Sequence, residues 1–397
     1  MASRKGLSEI YRPVGPKLIQ ANIPWSSGGQ QNITQAVDLS LPIRGIRLVF
    51  KGRLVIGVAA FTSVNPEGFL NLIQNITISG TNARQKGNLT LWNCDLASAW
   101  VLQHLFGHSK AYFSINAGTG ETVVPVPTTP FPATGATGYI NGATGTYDWR
   151  IVVDFPFHPL ESNAYGRQPL SIPGFLVRNE EWKDTIQVFM QFGTQAGAGA
   201  SGALGVSAGT TTVTFSSYGS GAGTPTIDLY SLPVVMGLDL KDQVLPGVLS
   251  RVSSQITTVL QSAGTSVALL NLQKQPTTRI YCKFGTSTVN PAMATLSDTN
   301  VTQLGVLLGG NRNVRNKIDI FAHKAQQYDV YDRFPIQGYS LFDFIDSGNP
   351  DSAYPGQDIG DGASFQLIGD VTGVANALGI IIQEQMLHMP TGPIYTF

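Results

Sequence analysis

The sequence predicts a predominantly β protein with two short helices, built from one β module used twice. Three observations carry this. Segment after segment alternates apolar and polar residues with a period of two, the mark of antiparallel strands half-buried in sandwiches. Glycine stands at 44 and proline at 23 in 397 residues, so turns are plentiful and long helices few. The length suits two domains better than one core of ordinary size.

Residues 1 to 35 read as an extended arm. Pro13, Gly15, Pro16 and Pro24 forbid a continuous helix there, and Arg4, Lys5, Arg12 and Lys17 outnumber the single acid, Glu9. Such a terminus suits anionic lipid, nucleic acid or a neighbouring subunit, and equally a frayed end. From residue 42 strands follow one another. In 148–155, Trp149, Ile151, Val153 and Phe155 share a face, with Arg150 and Asp154 opposite. In 185–192, Ile186, Val188, Met190 and Phe192 point inward, with Gln187 and Gln191 outward. Segments 212–216, 279–284 and 365–371 alternate likewise.

Two helices interrupt the strands. The first begins at Asp95, an N-cap residue, and runs to Phe106 before Gly107; the second spans Asp319 to Arg333 and is closed by Phe334-Pro335. Each precedes a strand region linked to a Phe-Pro pair, at 155–156 and 334–335, a loose echo between the halves. The boundary is expected near 238–247, giving a first module over 36–240 and a second over 241–397. Tracts 122–147 and 185–227 contain no Asp, Glu, Lys or Arg. They supply the long loops expected at 117–147 and 193–227. Their Val, Phe, Tyr, Ile and Leu suggest loops that pack against something, adjacent subunits included.

Only 13% of residues are charged, roughly half the usual share, and the net charge is zero. A positive excess able to displace counterions from nucleic acid is absent. Sparse charge with a net near zero favours association. Two readings stay open: surface covered by other copies, or a surface made polar by Ser, Thr, Asn and Gln. Cys94 and Cys282 are the two cysteines, no disulfide framework, which fits a reducing compartment. The N-terminus shows no apolar secretory segment, and no run of about 18 apolar residues suggests a membrane span.

Gly197, Gly199 and Gly202 spell the G-x-G-x-x-G pattern of a dinucleotide loop. A phosphate cradle needs a helix after the glycines, and 206–215 is β-prone instead, so a structural loop is expected. His104 and His108 with Cys94 have no evident fourth ligand, and Gly107 breaks the face they would share. Asp343, Asp346, Asp351, Asp358 and Asp361 gather without the alternation of a calcium loop and read as solvated acids. Arg44, Arg47, Lys51 and Arg53 form a basic stretch without a neighbouring acid, and Arg312, Arg315 and Lys317 another. Each reads as an exposed strand side, with an anionic partner such as lipid headgroups as the alternative. No nucleophile elbow or zinc-protease motif occurs. No catalytic, cofactor-binding or metal-binding residue is therefore assigned, and no cofactor is expected.

In order, WRIVVDFPFHPLESNAYG, DTIQVFMQFG, the strands around TTVTFSS and TIDLYSL, then LKDQVLP, the helix at 319–333, RFPIQGYSLFDFID, GASFQLIGDV and ALGIIIQEQM are arranged as in one family. The chain resembles the double jelly-roll major capsid proteins of tailless icosahedral double-stranded DNA viruses with an internal membrane, the tectivirus type that includes bacteriophages. The likeness spans roughly residues 40 to 390 in element order. It implies two tandem eight-stranded jelly rolls side by side, a homotrimer of six-lobed outline, and a capsid lattice. It further implies a virion location after synthesis in the host cytoplasm, minor capsid and vertex proteins as partners, and no sequence-specific nucleic-acid binding. The uncharged tracts would become tower and inter-subunit loops. Family members often carry a helical N-terminal arm, and the prolines here depart from that, which weakens a membrane contact for residues 1–35. The rival readings are a receptor- or carbohydrate-binding spike, which needs a cleft of exposed Trp and Tyr, and a two-domain β hydrolase, which needs a carboxylate pair.

Overall fold

The computed structural model describes residues 11–13, 15–36, 43–56, 61–82, 87–106, 112–116, 121–123, 145–157, 182–194, 202–207, 213–236, 248–271, 277–287, 293–308, 312–331, 336–344 and 365–388. Of the twenty-three strands among the described residues, sixteen build the frame of two barrels, and shorter ones such as Tyr112–Asn116 add to their edges. The first eight are β1 (Lys17–Pro24), β2 (Gln30–Ala36), β3 (Ile43–Ile56), β4 (Ile73–Asn82), β5 (Gly87–Cys94), β6 (Gly145–Pro156), β7 (Trp182–Phe192) and β8 (Thr226–Met236). The second eight are β9 (Val248–Thr257), β10 (Gly264–Asn271), β11 (Thr277–Thr286), β12 (Val301–Leu308), β13 (Arg312–Asp319), β14 (Tyr339–Asp343), β15 (Phe365–Val371) and β16 (Ala377–His388).

Strand order shows that one topology is used twice. The first barrel has sheets β1-β8-β3-β6 and β2-β7-β4-β5; the second has β9-β16-β11-β14 and β10-β15-β12-β13. Adding eight to each strand of the first barrel generates the second. Helix α1 (Leu96–Phe106) lies between the fifth and sixth strands of its barrel, and α2 (Ile320–Tyr331) holds the equivalent place. The loose echo in sequence is thus an element-by-element repeat in three dimensions.

The local reasons follow the sequence pattern. Asp95 Oδ2 accepts the Ser98 amide at 3.1 Å and caps α1, and Asp319 Oδ1 accepts the Phe321 amide at 2.8 Å and caps α2. Strand β6 pairs with β3 without a break from Gly145 opposite Ile56 to Pro156 opposite Gly45. Its Trp149, Ile151, Val153 and Phe155 are all fully buried. Trp149 faces Gly52, where an added Cβ would meet the indole at 2.7 Å and Pro225 at 2.8 Å, so only glycine admits the ring. In β7, Ile186, Val188, Met190 and Phe192 are buried.

Three expectations need correction. Residues 17–36 are not an arm. Strand β1 pairs with β8, Ile23 opposite Ile227, and β2 pairs with β7, Ile33 opposite Val188. The prolines ruled out a helix but leave an edge strand intact, and Tyr11–Pro13 also pairs with β8. Residues 1–10 lie outside the described ones. Second, segment 279–284 is not half-exposed, since every residue from Thr277 to Gly285 is buried. Third, the expected long loops contain short strands: Glu121–Val123 in the first, Gly205–Ser207 and Val213–Ser216 in the second.

Candidate functional site: the seam between the barrels and the outer edges

The barrels meet along a seam. Strand β5 of the first runs parallel to β9 of the second, Val252 opposite Trp92 and Ser253 opposite Asn93. That pairing fuses one four-stranded sheet from each barrel, with the short strand Thr295–Leu296 added beside β11, into a single nine-stranded sheet. Strand β11 is central to the contact. Its Ile280, Cys282 and Phe284 enter the second barrel's core, while Tyr281 joins the core of the first. Strand β16 divides the same way, with Ile381 in the second core and Leu378, Ile380 and Ile382 in the first. Period-two alternation persists here, but both faces are covered, because a second barrel stands where water was expected.

The polar side chains of β11 are consequently buried and must be satisfied within the protein. Arg279 Nη1 lies 2.9 Å from Glu384 Oε2, both side chains essentially inaccessible. Thr278 Oγ1 donates to the same oxygen at 2.9 Å. Lys283 reaches out of its barrel: its Nζ lies 2.8 Å from Glu67 Oε1 and 2.7 Å from Asp95 Oδ2. Glu67 precedes the short 3-10 helix Gly68–Leu72, and Asp95 caps α1, so two helix starts of the first barrel present carboxylates to one ammonium of the second. Tyr339 of β14 donates its hydroxyl to Glu67 Oε1. Burial pushes the Glu67 carboxyl above its ordinary range, opposed by the charge of Lys283. Burial would lower Lys283, but the Asp95 and Glu67 carboxylates outweigh it and hold the ammonium above its ordinary value. Nothing in the sequence marks Glu67, Asp95 and Lys283 as partners.

The basic stretch is neutralised, contrary to its appearance in sequence. Arg47 pairs with Asp154 at 2.6 Å, Lys51 with Asp228 at 2.7 Å and Arg53 with Asp148 at 2.7 Å. The acids sit on β6 and β8, the two sheet neighbours of β3. A one-dimensional search for nearby acids misses them, since strand pairing brings them across about a hundred residues or more. Lys317 is held by Asp370 at 2.7 Å. The side chains of Arg44, Arg312 and Arg315 lie outside the described residues.

The remaining candidates disperse. Of the G-x-G-x-x-G glycines, Gly197 and Gly199 lie outside the described residues. Gly202 is buried and its carbonyl accepts Asn65 Nδ2 at 3.0 Å. A strand, Gly205–Ser207, follows and pairs with Phe61–Val64. Cys94 and Cys282 are buried free thiols, both pushed upward by burial. The side chain of His104 lies outside the described residues, as does His108, and of the aspartates at 343–361 only the backbone of Asp343 is described. Four of the five tryptophans, Trp25, Trp92, Trp100 and Trp149, are buried.

Two barrel edges have a distinctive chemistry. Strand β2 ends the nine-stranded sheet and β10 ends its four-stranded one. Their sequences, QQNITQA and GTSVALLN, contain neither charge nor proline. Large apolar side chains stand exposed at Leu18, Ile256, Val259, Phe321 and Tyr328.

No protein-family model and no curated protein matches the sequence. Solved structures do match. The major capsid protein of the Sulfolobus turreted icosahedral virus superposes with a TM-score of 0.60 at 15% identity, covering 96% of this chain and 97% of that one. The fold is the double jelly roll. The same double jelly roll is matched by the PBCV-1 virus capsid protein, with a TM-score of 0.53, 11% identity and coverage of 97% and 95%. The Faustovirus major capsid protein matches this double jelly roll with a TM-score of 0.51, 10% identity and coverage of 95% and 90%.

Proposed function

We propose that this chain is a viral major capsid protein whose double jelly roll assembles with copies of itself into trimeric, pseudo-hexameric capsomers tiling an icosahedral shell. The observation that carries the reading is the repeat: two barrels of identical strand order locked into one body by a shared sheet and a buried polar seam. Three such bodies around a three-fold axis present six similar lobes, so a trimer fills a hexagonal position. The uncharged outer edges support it. An exposed edge strand is normally protected by charge, proline or cover, and β2 and β10 have neither of the first two. Cover by neighbouring copies accounts for them and for the sparse charge. The structures it resembles are named as capsid proteins, which supports a structural and not a catalytic role and a place in the virion shell. The division of the chain belongs to the same proposal, a first module ending at residue 240 and a second over 241–397, between the strands that end at Met236 and start at Val248.

Burial of Trp25, Trp92, Trp100 and Trp149 takes these four rings away from the cleft of exposed Trp and Tyr that a sugar-binding spike would use. Electron microscopy of the purified chain tests the proposal, together with light scattering at micromolar concentration. A six-lobed particle with the mass of three chains is the expected result. A stable monomer would overturn it.

A further inference from the structure

We propose that Lys283 and Asp95 condense to an intramolecular amide that covalently staples the second barrel to the first, with Glu67 as the proton relay. The arrangement has the parts this reaction needs. Lys283 Nζ lies 2.7 Å from Asp95 Oδ2, so the amine and the carboxyl group it would attack are held side by side by two folded barrels. Such fixed geometry is worth effective concentrations far above any free reactant. Glu67 Oε1 lies 2.8 Å from the same nitrogen and is fixed on its other side by the Tyr339 hydroxyl. Glu67 Oε2 and Asp95 Oδ1 are buried with no hydrogen-bond partner, so neither carboxyl group is fully held in its ionised form. The Lys283, Glu67 and Asp95 side chains are 1%, 0% and 7% exposed, so bulk water that would reverse the reaction is excluded.

The step balances without an outside reagent. The step takes Glu67 in its protonated form, so that the trio is electrically neutral overall. A proton passes from Lys283 Nζ to Asp95, leaving a free amine and a neutral carboxyl. The amine lone pair attacks Asp95 Cγ and the Nζ–Cγ bond forms. Glu67 gives its proton to the departing hydroxyl and recovers one from the nitrogen, acting as general acid and then base. The Cγ–O bond breaks and one water leaves. No oxidation state changes. Removal of both charges also relieves the cost of holding ions away from solvent.

The purified full-length chain, denatured and weighed by mass spectrometry, tests this. The expected mass lies about 18 Da below that required by the sequence, one water lost to a covalent modification. Proteolysis should yield a branched peptide joining Lys283 to Asp95. Asp95→Asn should instead lose ammonia, about 17 Da, and Lys283→Arg should lose nothing. Glu67→Gln should slow the loss by at least tenfold while leaving the strands intact by circular dichroism. A wild-type chain still at its full sequence mass after days of incubation overturns the proposal, and needs no variant to fold. A branch from Lys283 to Glu67 overturns it as well, and so does undiminished condensation in Glu67→Gln.

Discussion

Lys283 and Asp95 are 188 residues apart in sequence and belong to different barrels, yet their Nζ and Oδ2 atoms are 2.7 Å apart. With Glu67 on the same nitrogen, Lys283 faces two carboxylates in this seam. Its replacement by methionine leaves those two acids buried without a counter-charge. In the uncondensed chain, loss of one partner from this buried ionic cluster costs about 3–5 kcal/mol. Urea unfolding of Lys283→Met should show a midpoint lowered accordingly, with the second barrel separating first. An unchanged midpoint would mean that the seam is solvated.

Arg279 and Lys317 provide a matched contrast. Arg279 and Glu384 are essentially inaccessible, whereas Lys317 and Asp370 retain 25% and 19% exposure. Arg279→Met should therefore destabilise by about 3–5 kcal/mol, and Lys317→Met by at most about 1 kcal/mol. Equal losses in denaturant titrations would contradict the burial that separates them.

Gly285 and Gly221 test backbone crowding. A Cβ on Gly285 would run into the Thr295 carbonyl oxygen and come within 3.1 Å of Met293 Sδ, while Gly221 has nothing within 4 Å. Gly285→Ala should cost about 1–3 kcal/mol by overpacking. Gly221→Ala should stay within about 0.5 kcal/mol of the parent. Thermal melts of the two variants decide the matter.

Acid sensitivity should arise partly from Asp148. The hydrogen bond from Arg53 holds its carboxyl below the ordinary range, aided by the Gly219 amide. A carboxyl depressed in the folded state contributes stability that is complete above its unfolded pKa and is lost as pH falls through the folded one. The loss should begin near about pH 4 and continue below it. Asp148→Asn should flatten that limb of the stability–pH curve, and a parallel curve would remove Asp148 from the account.

By itself the sequence determined the class of fold, the two helices with the Asp95 cap of the first, and strands such as 148–155 and 185–192. Each of these is a local property: a capping side chain, or an alternation that one covered face imposes. The start of the first barrel was not legible, because prolines in 13–24 are as compatible with an edge strand as with a free arm, and only pairing with Thr226–Met236 decides. The basic stretch at 44–53 looked unpaired for a related reason, since its acids arrive on neighbouring strands. The seam was hidden altogether. Arg279, Tyr281 and Lys283 have the spacing of a solvent face, and what buries them is another barrel, brought there by a parallel pairing of residues about 160 apart. Periodicity reports how many faces a strand has; tertiary structure alone decides what covers each of them.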